Sequence, residues 1–215
     1  RAKKYAIILD DARDLDVYIL PHLIDQSDST IKLSVMTQRN KAYQRVKKLL
    51  KSTPFNKRLR ACKKWVKTNH WQKKIIRHNK PLKSFAFNTL DALINIIIIK
   101  GQQPDQLDDL ALHKLRIDCK KLHYAFDFFV PLYDKNIARS FIEKLKRLQD
   151  SLGEIHDAFI QKWLHQKLLQ NNAKIELTSV SQQVLLQIDH TAAFKKAQLS
   201  SQLAALYNSE YPWRV

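Results

Sequence analysis

Between residues 112 and 129, the apolar residues Leu112, Leu115, Cys119, Leu122, Phe126 and Phe129 recur at steps of three and four. That spacing makes a helix with one face in a core. At about 100° per residue, His113, Arg116 and Lys120 fall in one narrow sector beside that face. Like charges so spaced repel by roughly a few tenths of a kcal/mol per pair, so helix stability does not account for the sector, whereas a bound polyanion does. Glu at four-residue spacing, the usual partner on a solvated face, is absent from it, and the whole chain has only four Glu.

The same 3.6-residue period runs through most of the 215 residues, and the chain has only two Gly. Together these predict an all-α protein of one large or two small domains. Pro and Gly divide it into helices expected near 1–26, 30–52, 55–70, 82–100, 105–130, 135–171, 175–189 and 191–208. Pro54 and Pro81 precede helix starts, Gly101 follows a helix end, and Pro21 lies within an apolar stretch where a kink is expected. No segment alternates as a strand does.

The net charge of +18 calls for an acidic partner. It is unevenly spread: residues 1–100 carry 23 Lys/Arg against 7 Asp, and residues 101–215 carry 15 against 13 acidic residues. From Ser29 to Leu90 there are eighteen Lys/Arg and no acid. Disorder is excluded there by periodicity, since Tyr43, Val46 and Leu50 share a face opposite Lys41, Arg45 and Lys48. Arg39 falls on the apolar side of that helix. Cys62 and Cys119 lack CxxC partners and are expected as core residues in a reducing compartment. The longest apolar run, Ala92 to Ile99, is interrupted by Asn95 and falls well below the roughly 20 residues of a membrane span. With no signal peptide in view, a cytoplasmic location and no membrane partner are expected.

The chain also repeats itself. Aligning Asp14 with Asp157 brings Arg1 onto Lys144, Lys3 onto Lys146, Lys4 onto Arg147, Leu9 onto Leu152 and Arg13 onto His156. Two copies of one helix, basic at the same positions, are therefore expected, with repeats at 1–103 and 104–215. The counterpart of His113 would fall before residue 1, so the helix opening the first repeat is expected to be missing.

At these residues the sequence resembles the CHAD family, the conserved histidine α-helical domains. The resemblance rests on His113-Lys114-Leu115-Arg116-Ile117 with Lys120-Lys121-Leu122, on Leu148-Gln149-Asp150-Ser151-Leu152-Gly153 with Asp157, on Arg13-Asp14-Leu15-Asp16-Val17, and on the ending Tyr211-Pro212-Trp213. It implies two antiparallel four-helix bundles related by a pseudo-twofold, with a basic central cleft that binds inorganic polyphosphate. His123 and Asp10 depart from the family pattern, where Arg and Gly are usual. The change at His123 is expected to weaken binding near neutral pH, where an unperturbed His is mostly uncharged.

A flexible chain of phosphates has no bases to read, so its binder needs Lys, Arg and His donors along a line. His113, Arg116, Lys120, Lys121, Lys144, Lys146 and Arg147 are expected to form one wall, and Lys3, Lys4, Arg39, Arg45 and Arg58 the other. Lys195 and Lys196 lie outside both basic repeats and are expected to face solvent. Asp14 and Asp157 are read as orienting neighbouring Arg or His side chains. No Glu-x-x-His di-metal signature, Walker loop or nucleophile motif is present, nor the Glu-x-Glu-x-Lys signature of the triphosphate hydrolases that CHAD domains often accompany. The expected function is a non-catalytic polyphosphate-binding module without cofactor or metal, with polyphosphate granules as its address and other polyanions as lesser partners. Two alternatives remain: a nucleic-acid binder using the run from Lys32 to Lys83, and a metal-dependent phosphohydrolase. Tyr43 and Trp65, on apolar faces, are expected in the core rather than as stacking surfaces.

Overall fold

The computed structural model describes residues 2–22, 29–68, 81–171 and 179–215, with side chains for 4–17, 33–68, 81–167, 182–183 and 185–215. Its helices are α1 (Ala2–His22), α2 (Ser29–Lys51), α3 (Thr53–Lys67), α4 (Leu82–Lys100), α5 (Asp109–Phe129), α6 (Lys135–Asn171) and α7 (Ser179–Tyr207). Short 3₁₀ turns at Pro104–Gln106 and Val130–Leu132 flank α5. The described chain is all-α, with no strand. The helices expected at 175–189 and 191–208 are one continuous α7, because no Gly or Pro interrupts them. Pro21 falls in the last described turn of α1, and the residues that follow His22, where the expected kink would show, lie outside the described ones.

Two compact units make up the chain, one of Arg1–Asn79 with Ile160–Val184 and the other of Lys80–Phe159 with Leu185–Val215. Helices α6 and α7 contribute residues to both. Helix α4, which the sequence places in the first repeat, packs in the second unit.

The second unit has the larger described core. Leu112, Leu115, Cys119, Leu122, Phe126 and Phe129 of α5 are buried, as their spacing predicts, together with Leu145, Leu148, Leu152 and Ile155 of α6 and Leu199, Leu203 and Leu206 of α7. Asp108 starts α5 by accepting the Ala111 amide at 2.7 Å. The ending Tyr211-Pro212-Trp213 closes this core. Trp213 meets Phe141 edge-on at 5.0 Å and Phe126 at 5.8 Å, and its indole N–H donates to Asp91, which also binds Arg214. Gly101 is required by packing: a β-carbon there would overlap the Tyr207 hydroxyl, which donates to the Ile97 carbonyl at 3.3 Å.

Among the described residues, α4 is the one helix long and apolar enough to cross a membrane. Read as the run from Ala92 to Ile99 it falls short, but the folded helix adds the apolar turns before it. Ala86, Leu90, Ile94 and Ile97 form its buried face, in the core with α5.

The first unit is held by a smaller described cluster, Ala12 and Leu15 of α1, Val35 and Ala42 of α2, and Leu164 of α6. Gln161 adds a hydrogen bond to the Val17 carbonyl at 3.2 Å. Ser52 caps α3 by accepting the Phe55 amide at 3.4 Å. No residue of α3 is buried, and Cys62, expected in the core, is exposed. Cys119 is the reverse case: burial, followed by the charge of Asp118, pushes its thiol up to about 12, which leaves it inert at neutral pH.

Asp118 is the buried carboxylate of the second unit. Lys100 of α4 reaches it at 2.5 Å and Lys121 at 2.8 Å. Burial favours its neutral form, but the hydrogen bonds and charges of the two lysines outweigh that and hold it below the usual carboxylate range. Its stabilisation is therefore present above the unfolded-state value, about 3.9, and is lost as pH falls through the lower folded value. Asp118→Asn is expected to cost about 1–3 kcal/mol at pH 7, in thermal or urea unfolding, and the gap from wild type should close below about pH 4.

Candidate functional site

In the second unit the apolar stripe of α5 turns its cationic flank toward α6. His113 Nδ1 lies 3.3 Å from His156 Nδ1, with ring centroids 4.7 Å apart. Arg116 lies over Gly153, where a β-carbon would stand 4.0 Å from its Nε. One turn further, the Gln149 amide donates to the Cys119 carbonyl at 2.6 Å, and its oxygen accepts from His123 Nδ1 at 2.7 Å. Because the Gln149 orientation is set by the carbonyl, the proton of neutral His123 sits on Nδ1. His123 thus latches α5 to α6, whatever charge it carries. Its second nitrogen lies 3.4 Å from Asp127.

The wall expected from the sequence divides. His113, Arg116 and Lys120 share the α6-facing flank of α5. On α6, Lys146 projects toward the flank of Gln149, Gly153 and His156, by its spacing of about 100° per residue. Lys144 and Arg147 fall on the other flank of α6. That flank also carries Ser151, bonded to Gln202 of α7 at 2.9 Å, and Glu154, paired with Lys195 at 3.0 Å. Lys121 turns to the α4 side, held on Asp118. Lys144, Lys146 and Arg147 have no ion pair among the described residues. Lys195 and Lys196, expected to face solvent, are only partly exposed and are paired, Lys195 with Glu154 and Lys196 with Asp109 at 3.2 Å.

In the first unit, Arg39 is tied down. Its Nε donates to Asp16 at 2.6 Å, the Tyr43 hydroxyl donates to the other Asp16 oxygen at 2.6 Å, and the guanidinium lies 4.5 Å over the Tyr43 ring. The Asp16 hydrogen bond is the main reason that Arg39 and Tyr43 both hold their protons more firmly than usual. Asp16 stands 23 residues from Arg39, so no local spacing could have shown the pair; the i,i+3 spacing of Asp118 and Lys121 is the local signal that the sequence reading of Lys121 passes over.

Arg45 pairs with Asp11 at 3.2 Å, both half exposed. Arg58 lies 5.3 Å over Tyr5, which meets Phe55 edge-on at 5.3 Å. Lys4 is exposed, and the Lys3 side chain lies outside the described residues. Lys41 and Lys48, at four- and three-residue steps from Arg45, complete one exposed stripe on α2. Trp65, expected in the core, is 57% exposed on α3, a helix that also carries Lys57, Arg58, Arg60, Lys63, Lys64 and Lys67.

Two cavities flank these residues. One, of about 260 Å³ in the second unit, is mostly apolar and reaches His113 and His156 from Leu112, Leu152, Ile155 and Phe159. The other, about 250 Å³ in the first unit, is polar and lies among α1, α2 and α6. Asp14 is 3.5 Å from Arg13, in keeping with an orienting role. Among the described residues, no group of three or more His, Cys, Asp or Glu is placed to hold a metal.

Gly153 has no backbone reason to be glycine, since its β-carbon would meet only ordinary contact with Arg116. Gly153→Ala is expected to raise stability by about 0.5–1 kcal/mol through helix propensity, measured as a higher midpoint in urea. A loss of stability would mean that Arg116 packs more tightly on α6 than this spacing indicates.

No curated protein sequence matches the chain. A solved structure, the CHAD domain from the plant Ricinus communis, is similar over 98% of this chain and 71% of its own, with a TM-score of 0.76 at 20% identity. At that identity the likeness concerns the fold. The family model for the CHAD domain matches residues 1–166, which include the histidine helix seated on α6, and the protein therefore belongs to the CHAD domain family.

Proposed function

We propose that this chain binds inorganic polyphosphate on the cationic flank of α5 in the second unit and, as a surface of its own, on the Lys41–Arg45–Lys48 stripe of α2 in the first. The observation that supports this reading is the seating of the histidine helix: core packing and the His123–Gln149 latch fix the register of α5, the helix that carries His113, Arg116 and Lys120 in one sector. Charges fixed by the fold bind a polyanion without first ordering themselves. The helix pair around Asp14 and Asp157 supports reading the chain as repeats of one bundle design, with related roles for their cations. CHAD domains are non-catalytic modules, and capture without hydrolysis suits an address on polyphosphate granules in the cytoplasm.

Nucleic acid is the second reading, and exposed Trp65 on cationic α3 is the observation in its favour. Competition separates the two. Polyphosphate of tens of units should displace both single-stranded and duplex DNA at equal phosphate concentration. Its affinity should fall on the order of 10³- to 10⁵-fold between 50 and 200 mM salt if six to ten phosphates are neutralised, by analogy with nucleic acids. No orthophosphate should be released with Mg²⁺, Mn²⁺ or Zn²⁺. DNA winning the competition would make nucleic acid the ligand, and metal-dependent release of phosphate would make the chain a hydrolase.

A further inference from the structure

The polar cavity of the first unit has a composition that a chain of phosphates does not call for. Lys41 and Arg45 of α2 and Lys167 of α6 line it, but so do two carboxylates of α1, Asp11 and Asp14, and the indole of Trp163. Buried Leu15 and Leu164 form its floor. Acids in such a cavity oppose phosphate unless the ligand also carries hydrogen-bond donors. A 48% exposed indole is of no use to inorganic phosphate, which has no flat face. Lys167 Nζ sits 4.6 Å from the centre of the Trp163 ring, so cation and aromatic surface meet at one place. Lys41 and Lys167 have no carboxylate partner among the described residues, and Arg45 shares its charge with Asp11 alone.

We propose that this cavity binds a nucleotide, with the base against Trp163, base amino or ribose hydroxyl groups donating to Asp11 and Asp14, and the phosphates on Lys41, Arg45 and Lys167. About 250 Å³ suits a base and part of its sugar, leaving the phosphates at the rim, where Arg45 and Lys41 are exposed. The site is distinct in chemistry from the proposed polyphosphate surface, although Lys41 and Arg45 serve both.

Calorimetric titration of the full chain with ATP, adenosine and tripolyphosphate tests this directly. Stacking on an aromatic ring adds roughly five- to 150-fold in affinity, so ATP should bind tighter than tripolyphosphate by a factor in that range. Trp163→Leu should remove the excess, Trp163→Phe should keep most of it, and tripolyphosphate should bind all three proteins alike. Lys41→Met should weaken ATP while leaving adenosine unchanged. The proposal is overturned if wild type binds ATP no tighter than tripolyphosphate, or if a folded Trp163→Leu variant loses both ligands equally. Should that variant lose helicity, saturation-transfer NMR on wild type decides, because adenine protons that receive no magnetisation also overturn it. If the ATP excess holds while long polyphosphate fails to bind, the nucleotide site stands and the polyphosphate reading falls.

Discussion

The packing of α5 against α6 decides what the second unit shows to a ligand. Leu112, Leu115, Cys119, Leu122 and Phe126 must be buried, and α6 supplies Leu145, Leu148, Leu152 and Ile155 to bury them. Once that stripe is inside, the register of the helix leaves His113, Arg116 and Lys120 no other place than the α6-facing flank. The repulsion among them is then offset by core burial, which is worth about 25 cal/mol per Å² of apolar surface. Gln149 adds specificity at the same place, since it answers a backbone carbonyl and His123 together.

Carboxylates sort the remaining cations. Asp118 takes Lys100 and Lys121, Asp16 takes Arg39, Asp11 takes Arg45, Asp109 takes Lys196 and Glu154 takes Lys195. A net charge of +18 therefore says little about any one lysine. The exposed pairs contribute little to stability but hold side chains in place, and buried Asp118 contributes more. Cations without such a partner among the described residues, such as Lys41, Lys48, Lys144, Lys146 and Arg147, can turn to a polyanion without giving up a described ion pair.

Much of the fold was legible because helix periodicity is local. The α5 stripe, the start of α4 after Pro81 and the family motifs all sit within a few turns of sequence. The site was less so. Reading His113, Arg116 and Lys120 as one sector needed only a 3.6-residue period, but joining them to Lys144 and Arg147 needed the rotation of α6 about its axis, which the flanks of Ser151 and Gln149 reveal. Trp65 and Cys62 fit an apolar face, yet an apolar face is buried only where another element covers it, and α3 has no buried residue. The Tyr43–Asp16–Arg39 network joins α1 to α2 across more than twenty residues, beyond any local pattern.

In the proposed polyphosphate site, geometry rather than net charge sets the affinity. The most direct test is the polyphosphate affinity of two double variants that each remove two positive charges. Arg116→Ala/Lys120→Ala leaves only His113 on the α5 flank, whereas Lys83→Ala/Lys135→Ala removes exposed cations elsewhere in the same unit. With helicity and melting first matched to wild type, the first pair should lose about tenfold to several hundredfold in affinity, since each charged hydrogen bond is worth about 1.5–3 kcal/mol, and the second pair less than about threefold. Equal losses in two well-folded variants would contradict the account and leave only a diffuse basic surface.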